Sequence, residues 1–186
     1  MRRTVGLLVL AMLGGEQLAA QTVLRSPPPL DSARASLRDA VLVLRDSLVT
    51  VDGAAARLQR DYRQASDPSL LSRAQQMYEA CARSGRTVPQ ARLAVKRTEV
   101  NQPVKVERRQ ELVEAMDHLT QALGTCETEF AAMSKPGEAE RVRGYANDRA
   151  TKVQGVMRSY EHVLREFLGT MGIQVLPLGV SAGPSQ

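Results

Sequence analysis

The sequence predicts an all-α protein, an up-down-up-down antiparallel four-helix bundle of long, coiled-coil-like helices, on three observations. Apolar residues recur at alternating steps of four and three in four successive segments. Between those segments lie breaks at Ala65-Ser66-Asp67-Pro68, Asn101-Gln102-Pro103 and Ser134 to Gly137, with the residue types that stop one helix and start the next. The only two cysteines, Cys81 and Cys126, stand nearly symmetrically about the middle break, so a chain folded there brings them together to within about one helical turn.

At 186 residues the chain suits one domain with a real core. Residues 1–20 read as a secretory signal peptide. Arg2 and Arg3 supply the charged start, Val5 to Leu13 the apolar run, and Ala19-Ala20 a cleavage site before Gln21. That run is far shorter than the ~20 apolar residues a membrane-spanning helix needs, and Glu16 stops its extension. Cleavage takes the formal charge from +5 to +4, since Arg2, Arg3 and Glu16 leave together. Residues 21–30 form a Pro-rich spacer in which Ser26-Pro27-Pro28-Pro29 favours extended chain. The bundle domain is expected over 31–172, with a flexible tail over 173–186 that carries Pro177, Gly179, Gly183 and Pro184.

In the first helix the seam reads Leu37, Val41, Leu44, Leu48, Val51, Ala55, Leu58 and Tyr62, and it persists through Gly53. Asp67 is placed to cap the second helix and Pro68 to open it. There the stripe reads Leu71, Ala74, Tyr78 and Cys81, then Val88, Ala91, Leu93 and Val95, with a kink or break expected between Ser84-Gly85 and Pro89. The third helix carries Leu112, Met116, Leu119, Leu123, Cys126, Phe130 and Met133. The fourth carries Val142, Ala146, Val153, Val156, Tyr160, Val163 and Phe167, and ends near Gly172. Four such segments, each roughly 45 to 55 Å long at 1.5 Å per residue, match one another in length. The same heptads also serve a dimer of helical hairpins, so a homodimer is the alternative assembly. A matched cysteine pair in an exported chain predicts a Cys81–Cys126 disulfide.

Catalytic chemistry finds little to work with. His118 and His162 stand beside the seams rather than in them, and no Glu-x-x-His spacing for a di-iron centre is present. Asp117 and His118 are neighbours about 100° apart on a helix, which prevents the carboxylate from orienting the imidazole. Phosphate-binding glycine loops, nucleophile elbows and zinc-finger spacings are absent. Neither a cofactor nor a metal is expected. Glu114 and His118 are one helical turn apart and could grip a divalent ion from the surface, but the stripe they share with Glu107 and Glu111 reads first as a solvated flank. Tyr62, Tyr78, Phe130, Tyr160 and Phe167 fall on seam positions and read as core, ahead of the lining of a ligand cavity.

Charge is the asymmetric feature. Arg83, Arg86, Arg92, Lys96, Arg97, Lys105, Arg108 and Arg109 are opposed over residues 80–110 only by Glu99 and Glu107, an excess of +6 around the turn between helices two and three. A basic end beside the N-terminal spacer suits an anionic lipid surface, an acidic envelope polymer or another envelope protein. Nucleic acid is disfavoured by export and by the scarcity of aromatics. The expectation is therefore an exported, periplasmic or secreted, non-enzymatic interaction or scaffold protein of the bacterial cell envelope with peripheral membrane contact. The alternative is a small-molecule-binding or sensor-like bundle, and a metal-dependent enzyme ranks third.

Overall fold

The computed structural model describes residues 31–174, so the expected signal peptide, the spacer and the tail from 175 onward lie outside the described residues. Four helices follow one another: α1 (Ser32–Asp61), α2 (Asp67–Arg97), α3 (Pro103–Met133) and α4 (Ala139–Thr170). No strand occurs among the described residues. At 30 to 32 residues each, the helices are nearly equal in length, about 45 to 48 Å.

Their ends follow from local chemistry. Asp31 accepts a hydrogen bond from the Arg34 backbone N–H at 2.8 Å and so caps α1. Ser66, not Asp67, holds the cap position of α2. Asp67 is the first helical residue, and its carboxylate is engaged by Arg143 of α4 at 2.6 Å. Pro103 opens α3, where its missing N–H costs nothing. Gly137 carries the positive φ of 89° in the α3–α4 turn. α4 ends with Gly172 at φ 70°, the Gly172 N–H donating to Gly169 and the Ile173 N–H to Leu168. That is the hydrogen-bond pattern of a Schellman close. Ile173 is buried with the core, so packing extends one residue past the expected limit of the domain.

The helices form one bundle around a filled interior. On α1 and α3 the residues the periodicity gives are buried, with Tyr62 alone half-buried, and α1 buries Ala54 besides. On α2 and α4 the columns shift. α2 buries Leu70 and Met77 and leaves Leu71 and Tyr78 half-buried, while Leu93 is exposed. α4 buries Ala150, Met157 and Leu164 and leaves Val156 and Val163 half-buried. Adjacent apolar residues sit about 100° apart, and spacing alone fits either column; the helices packed against α2 and α4 decide between them.

The α2 backbone comes close to all three other helices, whereas no Cα atoms of α1 and α3 lie within 8 Å of each other. Of the expected kink or break, the break does not occur: α2 stays helical through Ser84, Gly85 and Pro89. Pro89 is exposed, so water can serve the carbonyl it leaves without a donor. Ser84 is fully buried and satisfied: its hydroxyl donates to the Ser47 carbonyl of α1 at 3.0 Å. Nearby, Ser47 and Thr87 join hydroxyl to hydroxyl at 3.1 Å. Cross-helix partners run in opposite senses, with Ser47 of α1 meeting Ser84 and Arg57 meeting Gln76 of α2. Cys81 and Cys126 form a disulfide with Cα atoms 6.1 Å apart, joining α2 to α3.

Candidate functional site

The α2–α3 turn, the start of α1 and the end of α4 come together around a groove of about 570 Å³. Asp31, Arg34, Arg97, Glu99, Lys105 and Met171 are among its walls. This end is closed by main-chain chemistry: Thr98 is buried, its N–H donates to the Val95 carbonyl, and its own carbonyl accepts from Arg109 Nη1 at 3.0 Å. Arg109 thus serves the C-terminus of α2, where a cation is favoured by the exposed carbonyls.

The eight basic residues of the 80–110 stretch divide into three groups. Arg92, Arg108 and Arg109 are engaged within the chain. Arg92 Nη2 donates to Asp117 Oδ2 at 2.8 Å; its Nε lies 2.8 Å from Oδ1, close enough for attraction but not aligned as a second hydrogen bond. The hydrogen bond from Arg92 holds the Asp117 carboxyl below its ordinary range, helped by the nearby charge of Lys96. Arg108 bridges Glu111 at 2.8 Å and Glu166 of α4 at 2.9 Å, which keep its guanidinium charged. Arg83 and Arg86 are exposed on α2, but Arg83 stands fourteen residues before Arg97, about 21 Å along the helix. Lys96, Arg97 and Lys105 remain at the turn itself, with no ion-pair partner among the described residues.

Close to these three in the sequence are exposed apolar residues that the charge pattern did not single out. Val104 is 60% exposed, and Leu93 and Val106 are also exposed. Their signal in the sequence is the interruption of the polar face at the start of α3, Val104-Lys105-Val106, where apolar and basic residues alternate.

Glu114 and His118 lie elsewhere, on the wall of a larger groove of about 820 Å³ between α3 and α4. Glu114 accepts from Gln110 at 3.3 Å, and Glu111 is taken by Arg108. His162 faces Glu166 at 3.4 Å. Among the described residues no group of three or more His, Cys, Asp or Glu side chains is placed to hold a metal ion.

Comparison with known protein families, with characterised proteins and with solved structures finds no match. The functional reading therefore rests on the chain's own chemistry. No helix among the described residues is long and apolar enough to cross a membrane.

Proposed function

We propose that this chain is an exported, non-enzymatic interaction protein of the bacterial cell envelope, an up-down-up-down bundle whose basic end contacts an anionic surface. The observation that carries this reading is that Arg97 and Lys105 line one groove at this end, with Lys96 next in the chain, all three without ion-pair partners among the described residues, and with exposed Leu93, Val104 and Val106 within a few residues of them in sequence. Basic side chains attract anionic headgroups or polymers, and short apolar side chains between them add contact area once the charges have approached. The opposed sense of the α1–α2 partners and the meeting of three chain segments at this end support the up-down arrangement. Burial of all four apolar columns within one chain supports a monomer over a dimer of hairpins. The disulfide supports an oxidising compartment.

The test is sedimentation with vesicles containing anionic lipid, with neutral vesicles, and with envelope extract, at low and high salt. Wild type is expected to bind the anionic partner and to release as salt rises. A variant with Lys96→Glu, Arg97→Glu and Lys105→Glu should stay helical and lose that binding. Equal binding by the folded variant and wild type would sink the proposal. Binding to extract but not to anionic vesicles would assign the partner to a protein or polymer rather than lipid.

A further inference from the structure

The outer seam between α3 and α4 holds a groove that the bundle does not need for its own packing. It runs from Glu111 to Glu129 on α3, about 27 Å at 1.5 Å per residue. Ala115, Ala122, Val153, Val156 and Val163 give it an apolar floor, and Gly155 and Ser159 keep the α4 wall low. Val156 and Val163 are the two α4 residues whose spacing fits the core column but which the core leaves half-buried. Spread over its length, the volume of about 820 Å³ gives a mean cross-section on the order of 30 Å². A furrow of that length lets one extended alkyl chain lie along its floor.

Two polar features mark where a head group would lie. Among the described residues, the Tyr160 hydroxyl is the single buried side-chain oxygen with no hydrogen-bond partner, and its residue lines this groove. Tyr160 is 1% exposed. A buried hydroxyl left unpaired is unfavourable; it is closed to solvent, so a head group pairs with it only as the groove wall yields, and that contact would remove the penalty. Burial pushes its pKa up, so it stays protonated and can accept from an N–H as well as donate. The second feature is charge. Glu111 pairs with Arg108, Glu129 with Arg149 and Lys152 with Asp148, while Glu114 receives only the neutral Gln110 amide. The register given by the Glu129–Arg149 and Glu166–Arg108 pairs sets Tyr160 level with the turn from Glu114 to His118.

We propose that the α3–α4 groove binds a single-chain cationic amphiphile, its extended apolar chain on the Ala115–Ala122 and Val153–Val163 floor and its amine head beside Glu114 and Tyr160. The site is distinct from the basic end, whose charge would repel such a head group.

The test titrates full-length mature protein with n-dodecylamine below its micelle concentration, with n-dodecanol, sodium dodecanoate and n-butylamine as comparators, by calorimetry. Dodecylamine should saturate one site and bind about tenfold more tightly than dodecanoate, the scale of one favourable against one unfavourable contact with a carboxylate. Butylamine should not bind measurably. Gly155→Leu plugs the groove where an added Cβ meets nothing within 4 Å, so it should fold and lose dodecylamine binding by at least about tenfold. Glu114→Gln should abolish the preference for amine over carboxylate while dodecanol binding stays as it was. Tyr160→Phe should weaken dodecylamine binding in a protein at least as heat-stable as wild type. Unchanged dodecylamine affinity in folded Gly155→Leu overturns the proposal, as does a preference for amine that survives Glu114→Gln. A wild-type dimer that Gly155→Leu splits into monomers also overturns it, because the groove would then be covered by a second copy.

Discussion

The α1–α2 and α3–α4 pairs use the same interior pattern and finish their outer seams differently. On the α1–α2 side, hydroxyls and long polar side chains reach across. Ser84 donates to the Ser47 carbonyl, Thr87 meets Ser47, and Arg57 meets Gln76. The concavity left there is about 280 Å³ and is walled by arginines and serines. On the α3–α4 side, Arg108–Glu166 and Arg149–Glu129 reach across, but Ala115, Ala122, Gly155 and Ser159 line the stretch between them, and the groove is nearly three times larger. Heptads thus decide how helices pair, but the residues one step off the heptad decide whether the pair is closed or furrowed on its outer face.

Truncation of the shared interior should have the largest effect, and the same one in both halves. Leu48 of α1 and Phe130 of α3 are both fully buried. Leu48→Ala should cost about 2–5 kcal/mol and Phe130→Ala about 3–5 kcal/mol in denaturant unfolding. A loss below about 1 kcal/mol in either half would mean that half lacks the packed interior assigned to it. Next in size is the staple between the halves. Cys81 and Cys126 are 45 residues apart, and closing such a loop stabilises by up to ~4 kcal/mol in the chain-entropy model. Reductant should lower the melting temperature clearly; coincident melting curves with and without it would remove the bridge from the account.

Smaller changes probe the two seams directly. Ser84→Ala deletes a buried hydrogen bond from the closed seam and should cost about 1 kcal/mol. Ser159→Ala, on the open seam, should stay within about 0.5 kcal/mol of wild type. If the two substitutions cost the same, the contrast between the seams has no energetic content. Gly155→Ala should stabilise by roughly 0.5–1 kcal/mol, since the added methyl meets open space in a helix interior.

The smallest effect belongs to the α2–α3 seam and depends on pH. The hydrogen bond from Arg92 depresses the Asp117 pKa. Its contribution is therefore complete above the ordinary carboxylate range and is lost as pH falls through the depressed value. Asp117→Asn should melt slightly below wild type near neutrality and converge with it in acid. A constant difference across that range would detach the pair from acid sensitivity.

How much of this was legible in the sequence varies from helix to helix. On α1 and α3 the four-three column, followed from the breaks that bound each helix, was the one the core buries almost to the last position, although Val43, Val49 and Val113 adjoin it. α2 and α4 carry adjoining columns, Leu70 beside Leu71, Met77 beside Tyr78, Val156 beside Met157 and Val163 beside Leu164, and periodicity had no means to rank them. The disulfide was legible because only one intramolecular pairing exists for two cysteines. The basic stretch was legible as a sum but not as a surface. Helical geometry separates Arg83 from Arg97, and ion pairs with carboxylates on other turns absorb Arg92 and Arg108. The α3–α4 groove had no motif of its own. Its trace in the sequence was a pair of valines on α4 in excess of what a four-helix core can cover.

The disulfide also bears on the order in which the molecule can assemble. It lies wholly within the α2–α3 hairpin, so a chain delivered N-terminus first presents both thiols once Cys126 has emerged, before any of α4. A locked hairpin can then act as a template on which α1, already present, and α4, arriving last, find their places. The last helix to arrive is the one that completes both the interior and the furrow on its outer side.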